Sequence, residues 1–153
     1  MSTSLLYHAF GIRGYRYVRS EYSGGEIYFT LEQQAPPRCR RCRSHNVIRR
    51  GTVVRRFRGV PIGRRPVWFQ MPVQRFECRH CGLLQRGNIS FAQRRHRHTH
   101  AFERYALDLC GYMTIQDVAN HLGVSWDVIK KIHKQSLRRR FRRPKLKKQW
   151  KRP

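Results

Sequence analysis

The sequence predicts an α+β chain: a β-hairpin, then a small β-rich segment clasped by two cysteine pairs, then three helices. Three observations carry that expectation. Stretches rich in aromatic and β-branched residues flank Ser23-Gly24-Gly25, and Cys39-Arg40-Arg41-Cys42 is matched, after 35 intervening residues, by Cys78-Arg79-His80-Cys81. From Thr99 onward the apolar period changes from two to 3.6.

Composition narrows the function classes. The 153 residues hold 34 Lys+Arg against 8 Asp+Glu, a formal charge of +26, so the chain repels itself unless a polyanion neutralises it. Nucleic acid is the expected partner. No apolar run approaches the roughly 18 to 20 residues that span a bilayer, so no membrane partner is expected. The stretch Met1–Phe10 has no basic leader and its apolar patch is interrupted by His8, unlike a secretory signal. The expected location is cytoplasmic, associated with the nucleoid. The length allows one ordinary domain or two small ones, whose modest cores call for a metal or a partner.

Element by element, Leu5, Leu6, Ala9 and Phe10 lie at helical spacing before Gly11 and predict a short packing helix. Tyr15–Tyr22 and Glu26–Gln33 predict a hairpin, in which Ile27, Phe29 and Leu31 form the face to bury and Tyr28, Thr30 and Glu32 the wet one. Pro36-Pro37 ends that unit. Val47–Arg58 and Val67–Glu77 read as strands, with turns at Gly51 and over Gly59–Pro66. The expected segments are 1–37 for the helix and hairpin, 38–88 for a ribbon, 89–98 for a basic linker, 99–143 for the helices and 144–153 for a basic tail.

Each Cys-x2-Cys turn points two thiolates at one place, and two such turns suit a single tetrahedral Zn²⁺ bound by Cys39, Cys42, Cys78 and Cys81. Between them the strands read as a zinc ribbon. Redox chemistry is the weaker reading, because a redox pair opens a helix in a βαβ setting and these pairs are a matched set in a β-rich region. Disulfides are disfavoured in the cytosol. Four thiolates on Zn²⁺ leave a net negative charge that Arg40, Arg41, Arg43 and Arg79 offset, while His45 and His80 read as surface donors. A closed four-cysteine site keeps no position for water, so this one structural ion holds the fold without catalysing. Cys110, at helical spacing with Ala106 and Leu107, reads as a small buried hydrophobe. His96, His98 and His100 could in principle bind a second metal, but Arg94, Arg95 and Arg97 would repel it, and a basic linker lying along phosphates is favoured.

Thr99 caps a helix carrying Phe102, Tyr105, Ala106, Leu109 and Cys110, and Thr114 opens a shorter one. Residues Ile115 to Ile132 then fit a helix-turn-helix. Val118, Leu122, Val124, Ile129 and Ile132 supply the shared core, Ala119 is small where the helices cross, Gly123 takes a positive φ in the turn, and Ser125 caps the second helix. With those apolar residues inward, Ser125, Trp126, Asp127, Lys130, Lys131 and Lys134 face outward, toward a major groove. The lysines suit phosphates or guanine edges. Trp126 either touches a thymine methyl or covers the helix start, with packing favoured, and Asp127 is explained by the helix dipole. Arg138 to Arg143 and Lys145 to Lys151 read as a basic tail, either a nonspecific phosphate clamp or a solvated end, with Arg138 among the candidate DNA contacts.

Taken in order, Tyr7-His8-Ala9-Phe10-Gly11-Ile12, the two cysteine pairs, Phe57-Arg58-Gly59-Val60-Pro61-Ile62-Gly63, Phe102-Glu103-Arg104-Tyr105 and Met113-Thr114-Ile115-Gln116-Asp117-Val118-Ala119 resemble the N-terminal region of insertion-sequence transposases of the ISL-three family. Arg43 departs from the glycine usual after the first cysteine pair. The resemblance implies a zinc ribbon and a helix-turn-helix placed before a DDE-type catalytic domain, which would begin after Pro144-Lys145-Leu146-Lys147; here the sequence turns to Lys148-Gln149-Trp150-Lys151-Arg152-Pro153. The expectation is therefore a truncated transposase, not an enzyme, that recognises the terminal inverted repeats of its element in double-stranded DNA without cleaving them. A homodimer or a full-length transposase is the candidate protein partner. Two alternatives stay open: a free-standing transcriptional regulator, and a basic zinc protein that binds structured RNA, which the narrow A-form major groove disfavours.

Overall fold

The computed structural model describes residues 2–142. The chain divides into two compact units, Met1–Tyr105 and Ala106–Pro153. It is α+β, with five strands and four helices among the described residues.

The first unit opens with α1 (Ser2–Phe10), of whose four spaced apolar residues Leu6 and Phe10 are buried and Leu5 and Ala9 exposed. The buried stripe is thus narrower than the spacing predicts, because one i, i+4 pair suffices to meet the sheet. Next, β1 (Tyr15–Ser23) and β2 (Glu26–Gln33) form the hairpin around Gly24-Gly25. Ile27, Phe29 and Leu31 are buried as their alternation requires.

The following pair, β3 (Val47–Ile62) and β4 (Arg65–Cys78), is longer than expected. The turn anticipated over Gly59–Pro66 contracts to Gly63-Arg64, since Ile62 already pairs with Arg65 and Gly59 stays in the strand opposite Val67. Gly51 does not turn the chain. It sits at φ +103 in a bulge, where the pairing shifts between Arg49 and Thr52. A short β5 (Leu84–Arg86) pairs with β4.

The sheet runs β1-β2-β4-β3, with β2 parallel to β4 from Ile27↔Val67 to Thr30↔Gln70. Hairpin and ribbon strands therefore share one sheet and one core. A two-stranded hairpin is marginal on its own; pairing it with β4 stacks Phe29 on Phe69 at 5.7 Å and buries both rings. The stretch read as a basic linker contributes to that core too: Phe91 and Ala92 are buried, Phe91 against Tyr15 and Phe57. Alongside it the Arg58 N–H donates to the Arg97 carbonyl (2.7 Å) and the Thr99 N–H to the Arg58 carbonyl (2.9 Å), which lays 97–99 beside β3.

Thr99 caps α2 (His100–Leu109), its hydroxyl accepting from the Phe102 N–H at 3.1 Å. Two further helices follow, α3 (Ile115–Leu122) and α4 (Trp126–Arg140). Arg138, Arg139 and Arg140, expected to begin a tail, form the last turn of α4, where cations oppose the helix dipole. The remainder of that expected tail, 143–153, lies outside the described residues. No described helix is long and apolar enough to cross a membrane.

Candidate metal centre and nucleic-acid interface

The two cysteine turns are built alike. In the first, the Cys39 N–H donates to the Ser44 carbonyl and the Arg43 N–H to the Cys39 carbonyl; in the second, the Cys78 N–H donates to the Leu83 carbonyl and the Gly82 N–H to the Cys78 carbonyl. That shared pattern folds each pair of thiols onto one side of its turn. The four sulfurs lie within 4.8 Å of one another, with Cys39 and Cys81 3.6 Å apart and Cys42 and Cys78 3.4 Å apart. A tetrahedral ion with Zn–S bonds of about 2.3 Å would set its sulfurs about 3.8 Å apart, close to the shorter separations in the cluster. This geometry fits a zinc ribbon and could hold a metal ion.

Protonation follows from the crowding. Backbone N–H donation at Cys42 outweighs burial at Cys39 and brings that thiol down to about 6. At Cys42 the Ser44 backbone also favours thiolate, but burial and the neighbouring thiols Cys78, Cys39 and Cys81 prevail and push it up to about 12. One thiolate forms readily and repels the next. A divalent cation bound among the four sulfurs would remove that conflict.

Other residues secure this cluster. The Gln85 side chain, buried on β5, accepts from the Arg40 N–H (3.3 Å) and donates to the Arg38 carbonyl (3.2 Å), while the Arg79 N–H donates to the Asn46 carbonyl. Sequence reading missed Gln85, since nothing about a lone glutamine signals which loop it will meet. His45 and His80 are exposed and outside the cluster. The three spaced histidines do not converge either: His96 Nδ1 lies 2.8 Å from Glu103 Oε1, His98 stacks on Phe102 at 5.3 Å, and His100 is exposed. Cys110 is half-buried, and burial pushes its thiol up.

In the second unit α3 is locked at both ends. Thr114 accepts from the Asp117 N–H (3.2 Å) and its hydroxyl donates to the Asp117 carboxylate (2.6 Å). At the far end Gly123 stands at φ +62, its N–H reaching Asn120 and the Val124 N–H reaching the Ala119 carbonyl at 3.0 Å. That doubly bonded left-handed stop turns the chain sharply into α4. Val118, Ala119, Leu122, Ile129 and Ile132 are buried as expected, while Val124 is half-buried.

Opposite Ile129 and Ile132, α4 exposes Asp127, Lys130, Lys131, Lys134 and Arg138 at intervals of one and two helical turns. Ser125 occupies the cap position with φ −69 and ψ 149, yet its hydroxyl makes no cap bond. Trp126 is 41% exposed, and Lys130 Nζ lies 4.3 Å from its ring centroid. The indole holds the ammonium in place through its electron-rich face.

The described chain thus carries a four-cysteine cluster able to hold a metal ion and, in its second unit, two helices bent about a tight turn. Residues 88–143, a little over a third of the chain, match the family model described as the helix-turn-helix domain of transposase family ISL3. Comparison with curated proteins and with solved structures finds no match. The family match supports DNA binding by residues 88–143 in the manner of a transposase helix-turn-helix.

Proposed function

We propose that this chain is a DNA-recognition region of transposase type, which binds the terminal inverted repeats of a mobile element as double-stranded DNA and does not itself cut them. The observation that carries the reading is α4: a basic stripe of Lys130, Lys131, Lys134 and Arg138, set opposite a buried apolar stripe and within the residues that match a transposase helix-turn-helix. Its N-terminal residues, Ser125 and Trp126, enter the major groove first, and Lys130, steadied by Trp126, meets a base edge or phosphate. The cysteine cluster holds one structural Zn²⁺.

The non-cleaving half rests on the carboxylates. Transfer chemistry with paired Mg²⁺ needs acids that converge on the ions. Here Glu21 pairs with Arg19, Glu26 with Tyr28, Glu32 with Arg16, Glu77 with Arg50 and Glu103 with His96, while Asp117 caps α3, Asp127 sits in the first turn of α4 and Asp108 stands on the exposed face of α2. Among the described residues the cysteine cluster is the group placed to hold a metal.

Binding of the purified zinc-loaded chain to labelled transposon ends, scrambled duplex and structured RNA at fixed salt tests the reading. Preference for the ends, with no nicked or joined product in Mg²⁺ or Mn²⁺, is the expected result. Equal affinity for all three probes would refute recognition, and metal-dependent cleavage that copurifies with the chain would refute the non-enzymatic role. Expressed beside an intact transposase that uses the same ends, the chain should depress transposition by occupying them, by itself or in complex with that transposase.

A further inference from the structure

The unit that contains the cysteine cluster carries the larger share of the net charge, and all of its cationic side chains other than histidine are arginines. Residues 1–105 hold twenty-one arginines against five glutamates, and all seven lysines of the chain lie beyond them. An all-arginine unit is chemically specific, because guanidinium binds phosphate oxygens through a planar, two-pronged donor set that an ammonium lacks. The five glutamates are already engaged, by Arg19, Tyr28, Arg16, Arg50 and His96.

Four of these arginines are linked by a run of like-charge neighbours. Arg75 on β4 stands directly opposite Arg86 on β5, a like-charge pairing that weakens a sheet. On β3 the half-buried Arg55 is held in place, its guanidinium 4.7 Å from the Phe57 ring centroid and donating to the His96 carbonyl at 3.0 Å, next to Arg97. Burial holds the Arg55 pKa below its usual range, and the remaining influences, Arg86 and Arg97, are both repulsive. Arg86 thus faces one arginine and presses on another. Positive charge packed this way destabilises the protein alone and is relieved by an anion.

We propose that Arg55, Arg75, Arg86 and Arg97 form a phosphate-binding site for the DNA backbone on the first unit, a second contact beyond α4. The proposal rests on the reading of the chain as a double-strand DNA binder. Phosphate contacts position a protein without reading sequence, so this site would add affinity to every duplex equally, its positive charge meeting the negative backbone.

The test uses the full zinc-loaded chain and measures duplex affinity against salt for Arg75→Gln/Arg86→Gln and for a charge-matched control, Arg64→Gln/Arg65→Gln, at the exposed β3–β4 turn. The first pair should lower the slope of log affinity against log salt by about 1.8, roughly 0.9 per lost phosphate contact, on preferred and random duplexes alike. Its melting temperature should hold or rise, since a like-charge pairing has been removed. The control should keep its slope. Should the double variant lose zinc or cooperative melting, Arg86→Gln alone, exposed on a short edge strand, should lower the slope by about 0.9. An unchanged slope, or an equal fall in the control, overturns the site while leaving recognition through α4 intact. Stronger arginine-dependent binding to structured RNA than to duplex DNA overturns the DNA assignment. Failure of the unmodified chain to bind any duplex removes the proposed function and this site together.

Discussion

Arg43 and Gly82 occupy the same position in the two cysteine turns, at φ +61 and +67, each donating its N–H to the carbonyl of the first cysteine of its pair at 2.9 Å. One turn meets a left-handed requirement with glycine and the other with a residue that carries a Cβ. A side chain in that region costs about 1 to 2 kcal/mol. Arg43→Gly should therefore stabilise the first unit by about 1 kcal/mol, and Gly82→Ala should destabilise it by about as much, although nothing lies within 4 Å of the added Cβ. Denaturant melts of the zinc-loaded chain measure both, and a Gly82→Ala variant as stable as the parent would exclude backbone strain as the reason for glycine there.

Replacing Cys39 or Cys78 with Ser should abolish stoichiometric zinc and loosen the cysteine end of the sheet, while α3 and α4, whose buried residues lie in the other unit, stay folded. Metal analysis with amide exchange resolves the two effects. Full zinc retention in both variants would eliminate the four-cysteine site.

Zinc affinity should fall as pH falls. Cys39, brought down to about 6, is largely thiolate at neutral pH, whereas Cys42, pushed up to about 12, must give up a proton when metal binds. Protons therefore compete with zinc throughout the neutral range, most severely below pH 6 where Cys39 also protonates. Chelator competition between pH 6 and 8 should show affinity rising with pH; a flat profile would mean that loading does not deprotonate these thiols.

Gly59→Ala should cost about 1 to 3 kcal/mol, because its Cβ would stand 2.5 Å from Cε2 of Phe69, a ring confined by Phe10, Phe29 and Phe91. Thermal unfolding of the variant measures this. A shift no greater than that of an exposed alanine substitution would place slack in the core that the packing does not suggest.

Lys130→Ala or Lys131→Ala should weaken binding to the preferred duplex more than to random DNA, with about 1 to 3 kcal/mol of discrimination at stake if either lysine meets a base edge. Titrations on both duplexes at one salt concentration separate this from general charge loss. Equal losses on the two would mean that α4 contacts only the backbone.

Several features could be read from residues alone because their causes are local. Two matched Cys-x2-Cys pairs in a β-rich stretch describe two turns whose thiols can converge, the alternation at Ile27, Phe29 and Leu31 picks the buried face of β2, and Thr114, Ala119 and Gly123 each do within a few residues what α3 and its stop require. The outward stripe of α4 follows from the inward placement of Ile129 and Ile132. The contact of Lys130 with the Trp126 ring, one helical turn apart, is likewise local.

Long-range pairing decided the rest. Nothing near Ile27 in sequence announces that β2 will run parallel to Val67–Gln70, and that choice merges hairpin and ribbon into one sheet. Likewise the chain at 89–98 reads as basic linker from composition, yet Phe91 enters the core and His96 finds Glu103, because burial depends on which surface arrives opposite. The facing of Arg75 and Arg86 has the same origin. Local chemistry set the metal turns, the helix caps and the apolar faces; strand register, which is a property of two distant segments and their shared packing, set which of those faces met and where the arginines were gathered.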